Sequence, residues 1–476
     1  MKLTSEYFKK NAKQALNNPV LQSALEQLKS GLVAQRAKSI QYLPEFDALR
    51  DSAVQIKNHT LENLDYYLQQ FENQVIKNGG HVHWALNAEE ACQQVTDILQ
   101  KANAKFITKN KSMVTEEINL NTTLEQAGFD IVETDLGEYI IQQRDEPPSH
   151  IVLPAIHLII QQIAETFYQK HLHLAKDRHL TEPQELLDEA RVILRDKFFA
   201  ANVGITGANC LIAESGTAVI VTNEGNADLT QTLAKIHIVV TSIEKVVPTF
   251  EDAMHVIRLL GRSATGQEIT AYTTFASGPK HADDLDGPEQ FHVILLDNGR
   301  SKMLGGHFQD MLRCIRCGAC LNHCPIYDAI GGQAYGSMYS GPMGAVLTPS
   351  LFGIQHSKDL PNASTFCGRC EAVCPMRIPL PKMMRYYRDE EFQQHLSSTR
   401  SRLALKIWAY LAKKPKLYRK IMSLAMGFLH LCGKKSGRLR HFPFLKPWTA
   451  FRDFPAPAGK TFQTLWQQRQ KDQSYE

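Results

Sequence analysis

The chain has 476 residues, of which 43% are hydrophobic and 21% are charged, and its formal net charge is +4. This length suits about three domains of an ordinary globular protein, and the small net charge does not by itself indicate nucleic-acid binding. The N-terminus lacks an apolar signal segment, and no stretch reaches the roughly 18 to 20 apolar residues of a membrane span. A reducing, cytoplasmic setting is therefore expected.

Residues 1–79 are predicted to form an N-terminal helical region. Apolar residues recur there at helical spacing, as in Leu61, Leu64, Leu68 and Phe71. We expect these helices to cover another domain, and a helix that binds a partner protein is the alternative.

Residues 80–300 are predicted to form one α/β domain. Short apolar stretches alternate there with helical patterns, which is typical of a parallel sheet covered by helices. The predicted strands are His81–Trp84, Lys105–Ile107, Phe129–Val132, Tyr139–Gln142, Cys210–Ala213, Thr217–Val221, Ile236–Thr241 and Phe291–Leu296.

Two polar segments of this domain are candidate ligand sites. Glu214 ends a predicted strand and has the position of a catalytic carboxylate, but the simpler interpretation is that Gly216 serves a turn and Glu214 caps it. Lys109 and Lys111 precede a Ser/Thr–Glu pattern at a helix N-terminus, where an anion can bind. A capping box is the favoured explanation of those residues, so no catalytic residue is assigned.

Seven of the ten cysteines lie between residues 314 and 374, in two motifs. The first motif has the order C-x2-C-x2-C-x3-C-P and consists of Cys314, Cys317, Cys320, Cys324 and Pro325. This is the spacing of bacterial two-cluster ferredoxins, in which three thiolates hold one iron–sulfur cluster and the fourth serves a second cluster. The second motif, aligned on its Cys-Pro end, consists of Cys367, Cys370 and Cys374, with Ser364 in the place of a first cysteine.

Crossed ligation between the motifs predicts two unequal [4Fe–4S] clusters. The ligands of cluster 1 are Cys314, Cys317, Cys320 and Cys374. The ligands of cluster 2 are Cys324, Cys367 and Cys370. Ser364, water or a partner group completes cluster 2, or this cluster lacks one iron and is [3Fe–4S]. Structural zinc is the main alternative, and disulfides are less expected in a long chain without an export signal.

The cysteines are expected to lie in a two-cluster ferredoxin-type domain over residues 301–395. The long glycine-rich spacer between the motifs suits a helical module better than the strand-rich core of a small ferredoxin. Five basic residues lie beside the motifs: Arg313, Arg316, His323, Arg369 and Arg377. Near the sulfurs they would stabilise the reduced clusters, whereas solvation or pairing with acidic residues is the alternative.

Residues 396–476 are predicted to form a basic C-terminal tail. Residues 401–447 contain twelve lysines and arginines and no Asp or Glu. Trp408, Tyr410 and Phe428 interleave with these charges, which suits an anionic membrane surface or an acidic protein partner. Nucleic acid is a third option, but no recognition motif accompanies the charge.

Several motifs together resemble the lactate-utilisation iron–sulfur protein family, the B component of a bacterial three-protein L-lactate oxidation system. They are Lys111-Ser-Met-Val-Thr-Glu-Glu117, Glu133-Thr-Asp-Leu-Gly-Glu138, Gly204-Ile-Thr-Gly207 and Glu214-Ser-Gly-Thr217, followed by the two cysteine motifs. The resemblance covers nearly the whole chain. It implies an α/β domain like that of sugar-phosphate isomerases and CoA-transferases, and the seven cysteines as cluster ligands. It also implies two partners, a cysteine-rich A component and a C component that shares the α/β domain.

The hypothesis from the sequence is an electron-transfer protein that passes electrons from the oxidation of L-lactate to pyruvate toward a respiratory acceptor. The main alternative is an enzyme whose α/β domain itself binds and oxidises or transfers a carboxylate or CoA substrate. A scaffold for other subunits is a third option. The expected location is the cytoplasm, with peripheral membrane contact through the tail as a further option.

Overall fold

In a computed structural model, which describes residues 3–175, 177–440, 449 and 452–473, the chain divides into two units, Met1–Glu391 and Phe392–Glu476. The first unit carries the six-stranded sheet and all seven motif cysteines, and the second carries the basic tail. Within the described ranges, no helix is both long enough and apolar enough to cross a membrane.

The N-terminal part of the first unit is helical, as the sequence predicts. Its helices are α1 (Phe8–Leu16), α2 (Pro19–Leu28), α3 (Ala34–Gln41), α4 (Phe46–Glu62) and α5 (Leu64–Lys77), with a π-helical stretch at Lys29–Val33. The apolar stripe of α5, which includes Leu68 and Phe71, packs into a core with Val239 and Phe291 of the sheet. This helix therefore covers the sheet, as an amphipathic helix of this kind is expected to do.

The α/β part contains two sheets. Its strands are β1 (His81–Ala85), β2 (Phe106–Lys109), β3 (Asp130–Glu133), β4 (Val203–Thr206), β5 (Cys210–Ile212), β6 (Thr217–Thr222), β7 (Ile236–Ser242), β8 (Val246–Val247), β9 (Tyr272–Ala276) and β10 (Gln290–Leu296). The larger sheet has the order β1-β10-β7-β4-β2-β3, and all of its pairings are parallel. The smaller sheet has the order β8-β5-β6-β9, in which β5 and β6 form an antiparallel hairpin.

Helices alternate with the strands of the larger sheet. They are α6 (Ala88–Lys101), α7 (Met113–Glu117), α8 (Leu120–Gln126), α9 (Leu136–Gln143), α10 (Ile160–Lys170), α11 (Pro183–Ala200), α12 (Asn226–Leu233) and α13 (Phe250–Ala264). Burial on both faces explains the apolar runs at residues 238–240 of β7 and 293–296 of β10. The predicted parallel sheet covered by helices is confirmed.

The α/β part differs from the sequence prediction at Tyr139–Gln142 and at strands β4, β8 and β9, which were not predicted. Tyr139–Gln142, predicted as a strand, lies in α9. The Asp135 carboxylate caps this helix by accepting hydrogen bonds from the N–H groups of Gly137 and Glu138, so the prediction was wrong. Strand β4 was not predicted, because it is short and contains Gly204; a Cβ at this glycine would lie 1.9 Å from the Thr230 carbonyl oxygen of α12.

The cysteine-bearing segment of the first unit consists of short helices. They are α14 (Ala319–Asn322), α15 (Pro325–Ile330), α16 (Gly341–Phe352), α17 (Arg369–Ala372) and α18 (Leu380–Gln393). Helices α1 and α2 pack on α15, and α14 packs on both α16 and α17. The two cysteine motifs are thereby brought side by side.

The second unit contains helices α19 (Thr399–Ala412), α20 (Pro415–Gly433) and α21 (Phe462–Gln473). Helix α20 begins at Pro415, whose missing N–H is not needed at the first helical position. Strands β11 (Arg438–Leu439) and β12 (Phe454–Pro455) form a short antiparallel pair.

Candidate iron–sulfur sites

The two cysteine motifs share one local backbone conformation. The residues on either side of Cys317 and of Cys367 have φ values between +52° and +78°: Arg316, Gly318, Phe366 and Gly368. Each turn then enters a four-residue helix, α14 or α17, which carries the next cysteine. Successive backbone N–H groups in such turns form a concave surface that suits an anionic group, as a thiolate-bound cluster is.

Site 1 is a group of four thiols: Cys314, Cys317, Cys320 and Cys374. All four line one cavity with about 370 Å³ of empty space. The remaining wall is largely apolar and includes Ile151, Met343 and Ile378. This largely apolar wall surrounds the thiols with a medium of low polarity, which strengthens electrostatic interactions there.

The thiols of site 1 act on one another electrostatically. Burial, as the largest cause, and the neighbouring thiols of Cys374 and Cys314 together raise the pKa of Cys317 to about 12. Burial also raises the pKa of Cys320, with the other three thiols of site 1 as further causes. The Ile378 N–H donates a hydrogen bond to the Cys374 sulfur at 3.5 Å. Cys374 of the second motif therefore lies among the cysteines of the first.

Site 2 is a group of three thiols: Cys324, Cys367 and Cys370. Burial, as the largest cause, and the thiols of Cys324 and Cys367 together raise the pKa of Cys370 to about 12. Cys324 and Cys370 are buried, but Cys367 is exposed. Hydrogen bonding from the Arg369 N–H lowers the pKa of Cys367. Site 2 thus has one thiol fewer than site 1, and one of its thiols is exposed.

Ser364, the candidate fourth ligand of cluster 2, is half-buried and already has a hydrogen-bond partner. Its hydroxyl oxygen accepts a hydrogen bond from the Phe366 N–H at 3.1 Å. The Arg388 guanidinium lies 3.5 Å from the Ser364 carbonyl oxygen. Its ligation of iron stays a prediction.

The N-terminal helices supply two arginines that the sequence analysis missed. Arg50 of α4 donates hydrogen bonds to the Cys374 carbonyl at 2.6 Å and to the Ala372 carbonyl at 3.1 Å. Arg36 of α3 donates to the Val373 carbonyl at 2.8 Å. These guanidinium groups hold the backbone of the second motif and place positive charge beside site 1.

Three of the five basic residues beside the motifs have acidic partners. Arg313 pairs with Asp310 at 3.0 Å, and Arg377 pairs with Asp51 at 2.5 Å, in agreement with the pairing interpretation. Arg316, whose side chain is 9% exposed, pairs with Glu244 at 3.3 Å, and its guanidinium lies over the Tyr339 ring at 4.9 Å. Its charge is therefore held close to Cys314 and Cys317 in a region of low polarity.

A buried chain of charges connects Arg316 to the α/β part of the same unit. Glu244 lies 3.3 Å from Arg316 and 2.9 Å from Arg300, and Arg300 lies 2.6 Å from Glu117. The Tyr339 hydroxyl donates a hydrogen bond to Glu117. Burial alone raises the pKa of Glu244, but Arg300 and Arg316 lower it to about 2. Glu117, the last residue of the 111–117 motif, thus has a structural role here.

The other candidate residues of the α/β part have structural partners. Glu214 accepts a hydrogen bond from the Phe250 N–H at 2.7 Å, at the start of α13. Ser112 accepts one from the Thr115 N–H at 3.4 Å, and Lys109 pairs with Glu133 at 2.6 Å. These contacts agree with the capping interpretations of both segments.

The residues present fit an iron–sulfur group. Four thiols surround one apolar cavity at site 1, and backbone N–H groups donate to the sulfurs of Cys317, Cys370 and Cys374. Such N–H donors balance the negative charge of a cluster. In the described part of the chain, no group of three or more His, Cys, Asp or Glu side chains is placed to hold a single metal ion.

Three family models match the chain in succession. The LUD domain matches residues 68–296, the 4Fe-4S dicluster domain matches residues 310–378, and the C-terminal model of lactate utilisation protein B matches residues 387–471. The middle match spans sites 1 and 2 completely. An iron–sulfur function for this segment follows from that match.

Curated relatives match over almost the whole length. Proteins named lactate utilization protein B are 43% identical in Lysinibacillus sphaericus, 42% in Bacillus subtilis and 44% in a Geobacillus strain. Each alignment covers 99% of this chain and 98% or 99% of the relative. A solved DUF162 family protein from Deinococcus radiodurans matches 49% of this chain and 98% of its own, with 14% identity and a TM-score of 0.28, too low to support an argument.

Proposed function

The chain belongs to the lactate utilization protein B family, and from this premise we propose that it is an iron–sulfur electron-transfer protein in the oxidation of L-lactate to pyruvate. The observation that carries the proposal is the arrangement of four thiols around one buried cavity, with three more thiols close by. A cluster bound by thiolates takes up and releases single electrons. Electrons from lactate oxidation pass through the two clusters toward a respiratory acceptor.

We further propose two [4Fe–4S] clusters with crossed ligation. Cluster 1 occupies site 1 and cluster 2 occupies site 2. Three thiolates hold cluster 2, so its fourth position is Ser364 or stays open, in which case the cluster is [3Fe–4S]. Electrostatic interaction between Cys320 and Cys370, together with the packing of α14 on α17, supports a short distance between the sites.

The domain proposals follow the same division of the chain. We propose a helical region over residues 1–79, an isomerase/CoA-transferase-like domain over 80–300, a helical two-cluster ferredoxin-type domain over 301–395 and a basic tail over 396–476. The proposed partners are the A and C components of the lactate-utilisation system, and the proposed location is the cytoplasm.

Helix α20 of the second unit supports a proposal of peripheral membrane contact. Five apolar side chains at helical spacing lie on one exposed stripe: Leu417, Ile421, Leu424, Phe428 and Leu431. Basic residues precede and follow this stripe in the sequence, and residues 401–447 contain no acid. We propose that this stripe inserts into the headgroup region of an anionic membrane.

Vesicle flotation tests the membrane proposal. Full-length protein is expected to float with phosphatidylglycerol vesicles and to remain in solution with phosphatidylcholine vesicles. Phe428→Glu should abolish flotation, whereas Phe462→Glu, at another exposed phenylalanine, in α21, should not. Equal flotation with the two kinds of vesicle, or equal flotation of the two variants, contradicts the proposal. An acidic protein partner is then the remaining candidate for the tail.

Reconstitution tests the electron-transfer proposal. Protein purified without oxygen should contain iron and sulfide for two clusters and give a paramagnetic signal on reduction. Adding L-lactate should produce this signal when the A and C components are present. Lactate-dependent dye reduction by this chain alone would instead support the alternative in which the α/β domain is the enzyme, and protein that carries zinc without iron would contradict the proposal.

A further inference from the structure

A second cavity lies in the α/β part, beside site 1. It contains about 1270 Å³ of empty space, part of which is continuous with solvent. Asn110 and Lys111, which follow β2, and Gly207, which follows β4, lie in its wall. Strand β2 pairs with β3 on one side and with β4 on the other, so these residues lie at a point where the strand order reverses. Ligands of open parallel sheets bind at such points.

Two buried polar side chains in this wall lack protein partners. Lys245 is 8% exposed and Asn110 is 7% exposed. Among the residues that the structure describes, none forms a hydrogen bond with either side chain, and no carboxylate lies within 4 Å of the Lys245 ammonium. Burial of an unpaired ammonium group is costly, so a partner that enters the cavity would be bound favourably.

The other charged residues of the wall are already engaged. Asp135 caps α9, and Glu224 accepts a hydrogen bond from the Thr222 hydroxyl at 2.8 Å. Lys111 donates to the Val152 carbonyl at 2.9 Å, and Arg316 pairs with Glu244. Three cationic and two anionic side chains thus line the wall, and Lys245 is the cation among them for which no partner is described, so its positive charge favours an anion.

The rest of the wall indicates an organic ligand. Apolar side chains from three segments contribute to it: Val152, Leu153, Ile220, Val221 and Leu260. A wall that combines apolar side chains with polar side chains able to orient a ligand is typical of sites for small organic molecules.

We propose that this cavity binds a small organic carboxylate, whose carboxylate group contacts the Lys245 ammonium and the Asn110 amide. Arg316 and Ile151 line this cavity and also the cavity of site 1. His150 holds the segment that carries Ile151, because it accepts a hydrogen bond from the Val152 N–H at 3.0 Å and contacts Asn322 of α14 at 2.8 Å. A bound carboxylate is thus one layer of residues away from cluster 1.

This proximity has a measurable consequence, which rests on the proposed electron-transfer function. A bound anion repels the extra negative charge of a reduced cluster, so occupancy lowers the midpoint potential of cluster 1 and changes that of cluster 2 less. By linkage, the carboxylate binds more weakly to the reduced protein than to the oxidised protein.

The experiment uses cluster-loaded, full-length protein. Calorimetry measures the binding of L-lactate, pyruvate and inorganic phosphate, and a redox titration followed by paramagnetic resonance is run with and without the tightest ligand. Lys245→Met is expected to weaken carboxylate binding roughly 10- to 100-fold, as for loss of a hydrogen bond to a charged group. Lys302→Met removes the same charge at an exposed lysine outside the cavity and should bind as the wild type does.

The outcomes separate this inference from the proposed function. Wild-type protein without iron–sulfur clusters contradicts the proposed function. Wild-type protein that carries clusters but binds no carboxylate, or binds phosphate as tightly, contradicts the cavity proposal alone, as does undiminished binding by Lys245→Met. If Lys245→Met does not load its clusters, Asn110→Ala provides the test: weaker carboxylate binding supports the proposal, and unchanged binding overturns it.

Discussion

Sites 1 and 2 have the same local backbone but different surroundings. Site 1 has four thiols around an apolar cavity, and arginines from α3 and α4 contact the backbone beside it. Site 2 has three thiols, one of which, Cys367, is exposed. The turn geometry therefore prepares a chain to bind a cluster, whereas the tertiary environment decides how enclosed that cluster is. The enclosed site suits communication with the α/β part, and the exposed site suits exchange of electrons with a partner.

Removal of a cluster-binding thiol should have the largest effect on iron content and electron transfer. This effect should differ between the two sites. Cys320→Ala is expected to lose the cluster of site 1, which is about half of the iron, and to reduce lactate-dependent electron transfer to background. Cys367→Ala should retain the iron of site 1. Iron analysis and paramagnetic resonance check both. Cys432→Ala, at an exposed thiol of the second unit, is the control and should match the wild type.

The buried chain of charges beside site 1 should contribute to the stability of the first unit. Arg300→Met removes the buried cation that Glu117 and Glu244 share. It is therefore expected to reduce the free energy of unfolding of the first unit by about 3–5 kcal/mol. Denaturant unfolding, followed by the visible absorption of the clusters, measures this change. An effect below about 1 kcal/mol, the range of surface ion pairs, would show that the network is not important for stability.

Loss of the hydrogen bonds that Arg50 of α4 donates should have a smaller effect on the free energy of unfolding. Arg50→Met removes the hydrogen bonds to the Cys374 and Ala372 carbonyls, and unsatisfied buried carbonyls should cost about 1–3 kcal/mol. Removal of this positive charge should also lower the midpoint potential of cluster 1. Arg258→Met, which breaks the exposed pair with Glu45, is the matched control and should change neither quantity appreciably. A shift in cluster 2 alone would contradict the assignment of Cys374 to site 1.

The smallest effect is expected at Ser364. Because its hydroxyl already accepts a hydrogen bond from the Phe366 N–H, Ser364→Ala should leave the iron content unchanged and alter stability by less than about 0.5 kcal/mol. Loss of one iron per chain would instead identify Ser364 as a ligand. Ser364→Cys offers a fourth thiolate and should make site 2 resemble site 1, with slower loss of iron in air.

Local patterns made much of this arrangement predictable. The cysteine spacing indicated which residues form the motifs, and the alternation of apolar stretches indicated the parallel sheet. The spacing of the cysteines could not indicate the contact with Arg50, which lies 324 residues before Cys374 and reaches it only through tertiary packing. The same limit applies to Lys245 and Asn110, whose significance lies in a cavity formed by several segments. Tyr139–Gln142 was predicted as a strand because its apolar run outweighed the cap at Asp135.

The central claim is that each cysteine motif contributes to both clusters. An iron anomalous difference map from crystals of the cluster-loaded protein tests it directly. The account predicts one cluster bonded to the sulfurs of Cys314, Cys317, Cys320 and Cys374, and a second bonded to those of Cys324, Cys367 and Cys370. A map in which Cys324 binds the same cluster as Cys314, or in which Cys374 binds the same cluster as Cys370, would contradict it.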